Sequence, residues 1–223
     1  MIPRTLEPEA MDTPEEARDY DAMDHATVNA RFVAEFLDIH GPCRGGELLD
    51  VGTGPARIPI VLCRADRSAR VLGIDLAEAM LERARSNVAE AGLSDRIRCV
   101  RADARDLLYP DGHFEAVLSN TVIHHLADPA PALAEMARAV APGGTLFVRD
   151  LARPDDLEML ARLVTTYAGD EAPAARALFE ASLHAALTLR EVRDIVRTLG
   201  RSDADVFMTS DRHWTWSWRR PGP

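Results

Sequence analysis

Short apolar runs alternate along this chain with longer stretches whose apolar residues recur at helical spacing. Leu48, Leu49 and Val51 make the first run, a short buried strand closed by Gly52-Thr53-Gly54-Pro55. Residues 57–64 then read as a helix, with Pro59 harmless in its first turn. A second strand, 70–75, ends on an acid and leads into a helix over 77–91 that is rich in strong helix formers and stopped by Gly92. A third strand, 97–103, also ends on an acid, and a fourth, 114–120, follows the Pro110-Asp111-Gly112 turn. Asp128-Pro129 starts a helix running to Val140, and Pro142-Gly143-Gly144 turns into a fifth strand, 145–150. Such alternation predicts an α/β fold: a doubly wound, mostly parallel sheet with helices on both faces.

The flanks follow other patterns. Residues 1–11, with Pro3 and Pro8, are expected to lie loose on the surface. Thr13-Pro14-Glu15-Glu16 is a helix start, and that helix breaks near 20–25. A second helix over 27–39 carries Phe32, Val33, Phe36 and Leu37 on one face and ends at the glycines beyond it. After the fifth strand come two helices, 155–167 and 173–187, of the kind that covers the carboxyl edge of such a sheet. Thr188-Leu189-Arg190-Glu191 is a capping box for a helix ending at Gly200, and 205–209 with 213–219 form a hairpin, with 220–223 fraying. Trp214, Trp216 and Trp218 alternate, which places their rings on one strand face as a buried stripe. The expected organisation is a single domain over 1–223 with a seven-stranded sheet. It comprises an N-terminal helical lid (1–46), a ligand-binding core (47–150), a helical insertion (151–187), and a last helix with a closing hairpin (188–223).

Composition narrows the function classes. At 223 residues, 47% hydrophobic and 28% charged, the chain has an ordinary globular makeup. A formal charge of −10 disfavours nucleic acid as a partner. No apolar run approaches a membrane span, and residues 1–10 lack a signal-peptide core, so a cytoplasmic protein is expected. Cys43, Cys63 and Cys99 are odd in number and show no paired spacing, so they read as reduced thiols and no metal site is predicted. A homodimer remains open.

The chemistry gathers at the strand ends. Gly52 and Gly54 let backbone approach a ligand closely, and the helix behind them offers unpaired N–H groups. Asp50, Asp75, Asp103 and Asn120 fall at successive strand ends, which line one crevice in an open parallel sheet. A carboxylate such as Asp75 accepts both hydroxyls of a ribose, and Asp103 with the amide of Ala104 reads an adenine edge. The simplest alternative for Asp75 is a helix cap. The residues therefore predict a nucleoside site, and the glycine turn alone leaves a nicotinamide dinucleotide in contention, except that Arg57 stands where GxGxxG needs its third glycine.

Asp50-Val51-Gly52-Thr53-Gly54-Pro55-Ala56, together with Asp75, Asp103-Ala104, residues 120–126 and Pro142-Gly143-Gly144, closely resembles the motif set of the class I (Rossmann-like) S-adenosylmethionine-dependent methyltransferases. The resemblance is to the small-molecule branch of ubiquinone/menaquinone type and is strong over 47–150. It implies methyl transfer from S-adenosyl-L-methionine to a small-molecule acceptor, leaving S-adenosyl-L-homocysteine. It also implies donor contacts at Asp50, Gly52, Thr53, Gly54, Asp75, Leu76, Asp103, Ala104 and Asn120. Ala56 departs from the family, which usually has a third glycine there. A NAD(P)-dependent oxidoreductase and a non-catalytic S-adenosylmethionine-binding protein are the other classes to be weighed.

For the acceptor side, His124 and His125 are candidates for a general base, with adjacent side chains expected to point apart so that at most one faces a ligand. Tyr20, Asp24, His25, Asn29, Arg149, Asp150 and His184 are candidate substrate contacts, with lid packing or a surface salt bridge as the plainer alternative for each. No motif identifies the acceptor.

Overall fold

The computed structural model describes residues 2–7, 12–23 and 25–222. The chain divides into two compact units. The larger contains the described residues of Ala10–Ser119, Pro131–Val148 and Trp218–Pro223. The smaller contains those of Met1–Glu9, Asn120–Ala130 and Arg149–Ser217.

In the larger unit β1 (Glu47–Val51) pairs in parallel with β2 (Arg70–Asp75) and β4 (Phe114–Asn120), and β2 pairs in parallel with β3 (Ile97–Arg101). The register sets Val51 beside Ile74 and Ser119, and Ile74 beside Val100, so the carboxyl ends of four strands finish at nearly one level. β1, β2 and β4 are mostly buried because both faces are covered, whereas β3 at the sheet edge is partly exposed. Leu48, Leu49, Val51, Leu72 and Ile74 are almost wholly buried. Burial of each such side chain contributes about 1.5–3 kcal/mol. The intervening helices are α3 (Arg57–Ala65), α4 (Glu78–Glu90) and α5 (Ala130–Ala139). Before them come α1 (Pro14–Ala22), with the expected Thr13–Glu16 capping box, and α2 (Ala26–His40), whose Phe32 and Phe36 rings meet Phe147 at tilted angles.

The smaller unit holds α6 (Leu157–Ala168), α7 (Pro173–Ala185) and α8 (Leu189–Thr198), with the antiparallel pair β6 (Val206–Met208) and β7 (His213–Arg219). Leu151, Leu160, Leu163, Val164 and Leu183 make its core with Ile2. The seven strands, including β5 (Val140–Leu151), form one sheet in the order β3-β2-β1-β4-β5-β7-β6, mostly parallel with one antiparallel hairpin.

Several expectations need correction. The fifth strand starts at Val140, so Pro142-Gly143-Gly144 lies inside it rather than turning into it. Gly144 packs against β4 so closely that a Cβ there would meet the carbonyl of Glu115 at 2.5 Å. The third strand ends at Arg101, which leaves Asp103 on the following loop. Residues 2–7 are not loose, since Ile2 is buried and the Arg4 guanidinium donates to the carbonyls of His124, Leu126, Ala127 and Ala185. Arg220 does not fray either, because it hydrogen-bonds the carbonyls of Gly144, Arg138 and Val140. Trp214 and Trp216 are fully buried, as the stripe requires, and so is the intervening Thr215. All three cysteines are unpaired thiols.

Candidate active site

The turn after β1 is held by β2. Gly52 and Thr53 both donate their amides to the Ile74 carbonyl, at 2.8 and 2.9 Å, and Gly54 donates to Asp75 Oδ2 at 2.8 Å. Gly52 (φ 71°) and Gly54 (φ 50°) are left-handed, as is Ala56 at φ 60°. That conformation explains why a glycine is usual at the position of Ala56. Asp75 Oδ1 also accepts Ala77 N–H at 3.0 Å just ahead of α4, but the N-cap of that helix is Ala77 and it receives no side-chain cap bond, so Asp75 serves the turn and not as the helix cap.

Asp50 is buried beneath this turn. Burial, with the neighbouring charge of Asp75 and against the Thr53 side chain, pushes its carboxyl up to about 7. Leu76 is half-buried beside Asp75. Asp103 is gripped by Arg105 through the Nε and Nη2 atoms and the backbone amide, which hold its carboxyl below the usual range. Ala104 follows it, half-buried. The larger unit thus brings Asp50, Gly52, Thr53, Gly54 and Asp75 into direct succession.

Helix α1 lies against the same turn. Tyr20 Cε1 is 4.0 Å from the point where a Cβ on Gly54 would stand, and Ala17 and Tyr20 pack on Ala77 and Met80. The Tyr20 ring also approaches His25, with centroids 5.4 Å apart. Asn29 is buried on α2, and Asp24 lies outside the described residues. The residue that fastens α1 is Asp21, which the sequence pattern did not single out. Its carboxylate accepts from Arg57 at 2.7 Å, Arg83 at 2.5 Å and Asn87 at 3.1 Å. Arg57, the residue in the third-glycine place of a dinucleotide fingerprint, is thereby committed to an ion pair.

Gly73 was also missed, although a glycine inside a strand signals close approach. A Cβ there would stand 2.6 Å from Thr53 Oγ1.

The smaller unit carries the remaining candidates. Asn120 is half-buried where β4 ends. His124 and His125 close a short 3-10 turn, Ile123–His125, that no pattern predicts. Asp150 Oδ2 creates it by accepting the amides of Ile123 at 2.5 Å and His124 at 3.2 Å. The two histidines converge rather than point apart, with ring centroids 4.2 Å apart. Glu7 Oε1 lies 3.1 Å from His124 Nε2 and 3.2 Å from His125 Nδ1, while His124 Nδ1 is 2.6 Å from Asp150 Oδ1. Against the cost of burial, the flanking carboxylates raise the His124 imidazole to about 9. The Arg149 guanidinium donates to Thr215 Oγ1 at 2.9 Å. His184 is half-buried and shares a hollow with Thr5, Leu6, Glu7 and Ala181.

Residues 49–148 match the family described as a methyltransferase domain. Demethylmenaquinone methyltransferase of Bacteroides fragilis is 28% identical over 143 residues, covering 63% of this chain and 58% of that protein. The 27-O-demethylrifamycin SV methyltransferase of Amycolatopsis mediterranei is 36% identical over 110 residues, 49% of this chain and 40% of that one. A crystal structure of a SAM-dependent methyltransferase from Aquifex aeolicus superposes with a TM-score of 0.67 at 19% identity, covering 93% of this chain and 98% of that one. The matched segment and the shared fold make the chain similar to the class I, Rossmann-like S-adenosylmethionine-dependent methyltransferases. Within that class the chain resembles the ubiquinone/menaquinone-type enzymes. It spans only 58% of the Bacteroides relative and 48% of a ubiquinone/menaquinone C-methyltransferase from Azotobacter vinelandii. Among the described residues no helix is long and apolar enough to cross a membrane.

Proposed function

We propose that the chain transfers a methyl group from S-adenosylmethionine to a small-molecule acceptor and releases S-adenosylhomocysteine. One observation carries the reading: Gly54 donates its N–H to Asp75 Oδ2 at the turn after β1, inside the segment that matches the methyltransferase-domain family. Gly52, Thr53 and Gly54 are assigned to the methionine part, Asp50 to its charged groups, and Asp75 with Leu76 to the ribose. Asp103 and Ala104 are assigned to adenine, and Asn120 to the methyl end. Asp103 shares its oxygens with Arg105, so an adenine amino group joins an existing ion pair.

The N-terminal segment 1–46 is assigned the role of a lid, with Tyr20 beside the turn and His25 and Asn29 assigned to the acceptor. Arg149, Asp150 and His184 are assigned to the acceptor, and segment 151–187 to its enclosure. The whole of 1–223 works as one methyltransferase domain in the cytoplasm, on a small molecule and not on nucleic acid. A homodimer is compatible with the reading.

The sulfonium already activates the methyl group, so the protein's contribution is orientation and exclusion of water. Removing a proton from an O–H or N–H acceptor falls to His124 and His125. As a protonated ring between two carboxylates, His124 is not a free base, and that step needs Glu7 or the ring proton displaced.

Titration calorimetry decides the donor half. Binding of S-adenosylmethionine and S-adenosylhomocysteine is expected, and Asp75→Ala should weaken both by about 10-fold or more, since a hydrogen bond to a charged group is worth about 1.5–3 kcal/mol. No heat with either nucleoside would overturn the reading, as would binding of NAD(P)H in their place.

A further inference from the structure

Glu7, His124 and His125 make an unusual group for a hydrogen-bonded cluster. Two imidazole nitrogens, His124 Nε2 and His125 Nδ1, address the same carboxylate oxygen, Glu7 Oε1, at 3.1 and 3.2 Å. The three ligand atoms lie within 4.8 Å of one another, and the side chains are 4%, 17% and 6% exposed for His124, His125 and Glu7. A tetrahedral zinc ion with bonds of about 2.0–2.1 Å has neighbouring ligand atoms about 3.3–3.4 Å apart. The two spacings to Glu7 Oε1 fall within a few tenths of an ångström of that value, and the two ring nitrogens lie within 4.8 Å of each other.

The surroundings match as well. His124 turns its other nitrogen to Asp150 at 2.6 Å, the carboxylate–histidine pairing that fixes the tautomer and orientation of a metal-bound imidazole. Asp150 is itself held by the amides of Ile123, His124 and Leu151. Ser182 Oγ donates to both oxygens of Glu7 at 3.2 and 3.3 Å. Thr5 N–H donates to the His184 carbonyl at 3.1 Å, and Arg4 is anchored on four carbonyls, so the segment bearing Glu7 is fastened on both sides of Thr5.

We propose that Glu7, His124 and His125 bind a divalent transition-metal ion of the zinc class, with Asp150 as the positioning carboxylate and a fourth coordination position left for an oxygen ligand. This departs from the sequence expectation of no metal. Two nitrogens and one carboxylate oxygen suit zinc, cobalt or iron and not calcium or magnesium. On binding, the ion takes the lone pairs of His124 Nε2 and His125 Nδ1, and the protons those atoms carried toward Glu7 leave to solvent. His124 keeps its Nδ1 proton on Asp150. The site deepens the acceptor half of the methyl-transfer reading and takes its role from it: a cation at this position lowers the pKa of an acceptor oxygen bound at the fourth position, so that the oxygen gives up its proton more readily.

The test uses tag-free full chain stripped with a chelator and titrated with Zn2+ and Co2+. One equivalent of each should bind, with a visible cobalt spectrum of tetrahedral or five-coordinate type and no thiolate charge-transfer band, which separates this site from Cys43, Cys63 and Cys99. His125→Gln and Glu7→Gln should each weaken binding at least 100-fold, and Asp150→Asn about 10- to 100-fold, the range for such supporting partners. Failure to bind either ion overturns the proposal. So does a thiolate band, or affinity unchanged in both His125→Gln and Glu7→Gln. The wild-type cobalt spectrum reports ligand type even where a variant does not fold. S-adenosylmethionine titration of the same metal-free protein tests the donor site independently, so the two readings fail separately.

Discussion

At the scale of single residues, Gly73 shows how tightly the donor side is built. It sits in the middle of β2, where glycine otherwise weakens a strand, because Thr53 folds back to within 2.6 Å of the missing Cβ. Gly73→Ala should push Thr53 and the turn aside, costing about 1–3 kcal/mol of stability, the usual range for overpacking, and lowering S-adenosylmethionine affinity. Urea unfolding and calorimetry on the same variant measure both, and unchanged affinity would show that Thr53 does not shape the site. Asp50 offers a pH readout. With its carboxyl at about 7, it is largely neutral at pH 6 and charged at pH 8. A cationic donor is therefore expected to bind more tightly as pH rises through about 7, and Asp50→Asn should flatten that dependence in titrations across the range.

At the scale of elements, α1 is the piece whose position depends on one side chain. Its sequence fixes that it is a helix: Thr13 and Glu16 cap it and Pro14 opens it. Nothing local fixes where it lies, since among its described residues only Ala17 and Asp21 are buried. Asp21 supplies the anchor by accepting from two elements at once, α3 through Arg57 and α4 through Arg83 and Asn87. Its carboxyl stays ionised because these partners outweigh the cost of burial. Breaking a fully buried ion pair costs about 3–5 kcal/mol, but Arg57 and Arg83 are 46% and 38% exposed and rehydrate when released. Asp21→Ala should therefore cost about 2 kcal/mol, between the buried and surface limits, with weaker donor binding as α1 detaches. A variant with wild-type urea midpoint and donor affinity would remove Asp21 from this role.

At the scale of the whole molecule, acid is the condition to which the fold is most exposed. Asp21 and Glu115 have carboxyls held low by their partners, so the stability they add is present above the unfolded pKa and is lost as pH falls through the folded one. Glu115 is the centre of a buried cluster, accepting the amides of Arg44 and Gly46 and meeting His40, which in turn reaches Thr145. His213 acts sooner. Burial and the charges of Arg212 and Arg149, against Asp150 and Asp211, lower its imidazole to about 4. Its contribution is complete above the ordinary value of 6.5 and disappears as pH falls from there toward 4. That window carries about 3 kcal/mol at 1.36 kcal/mol per pKa unit. His213→Asn should remove that slope in urea midpoints taken between pH 7 and 4; an unchanged slope would mean that His213 does not drive the acid loss.

The sequence by itself determined the parallel α/β core, the glycine turn, and the acids at the ends of the first two strands. Those features rest on local rules: apolar runs closed by glycine, helix formers bounded by caps, and residues whose spacing along one strand sets their position on the sheet. The bounds missed by a few residues, as at Val140 and Arg101. What only the tertiary structure decided is which polar side chains meet. Glu7 finds His124 and His125, Asp21 finds Arg57 and Arg83, and Thr53 fills the space above Gly73. Each pairing joins residues far apart in the chain, and a buried charge is stable only beside its partner, so no local pattern records the choice.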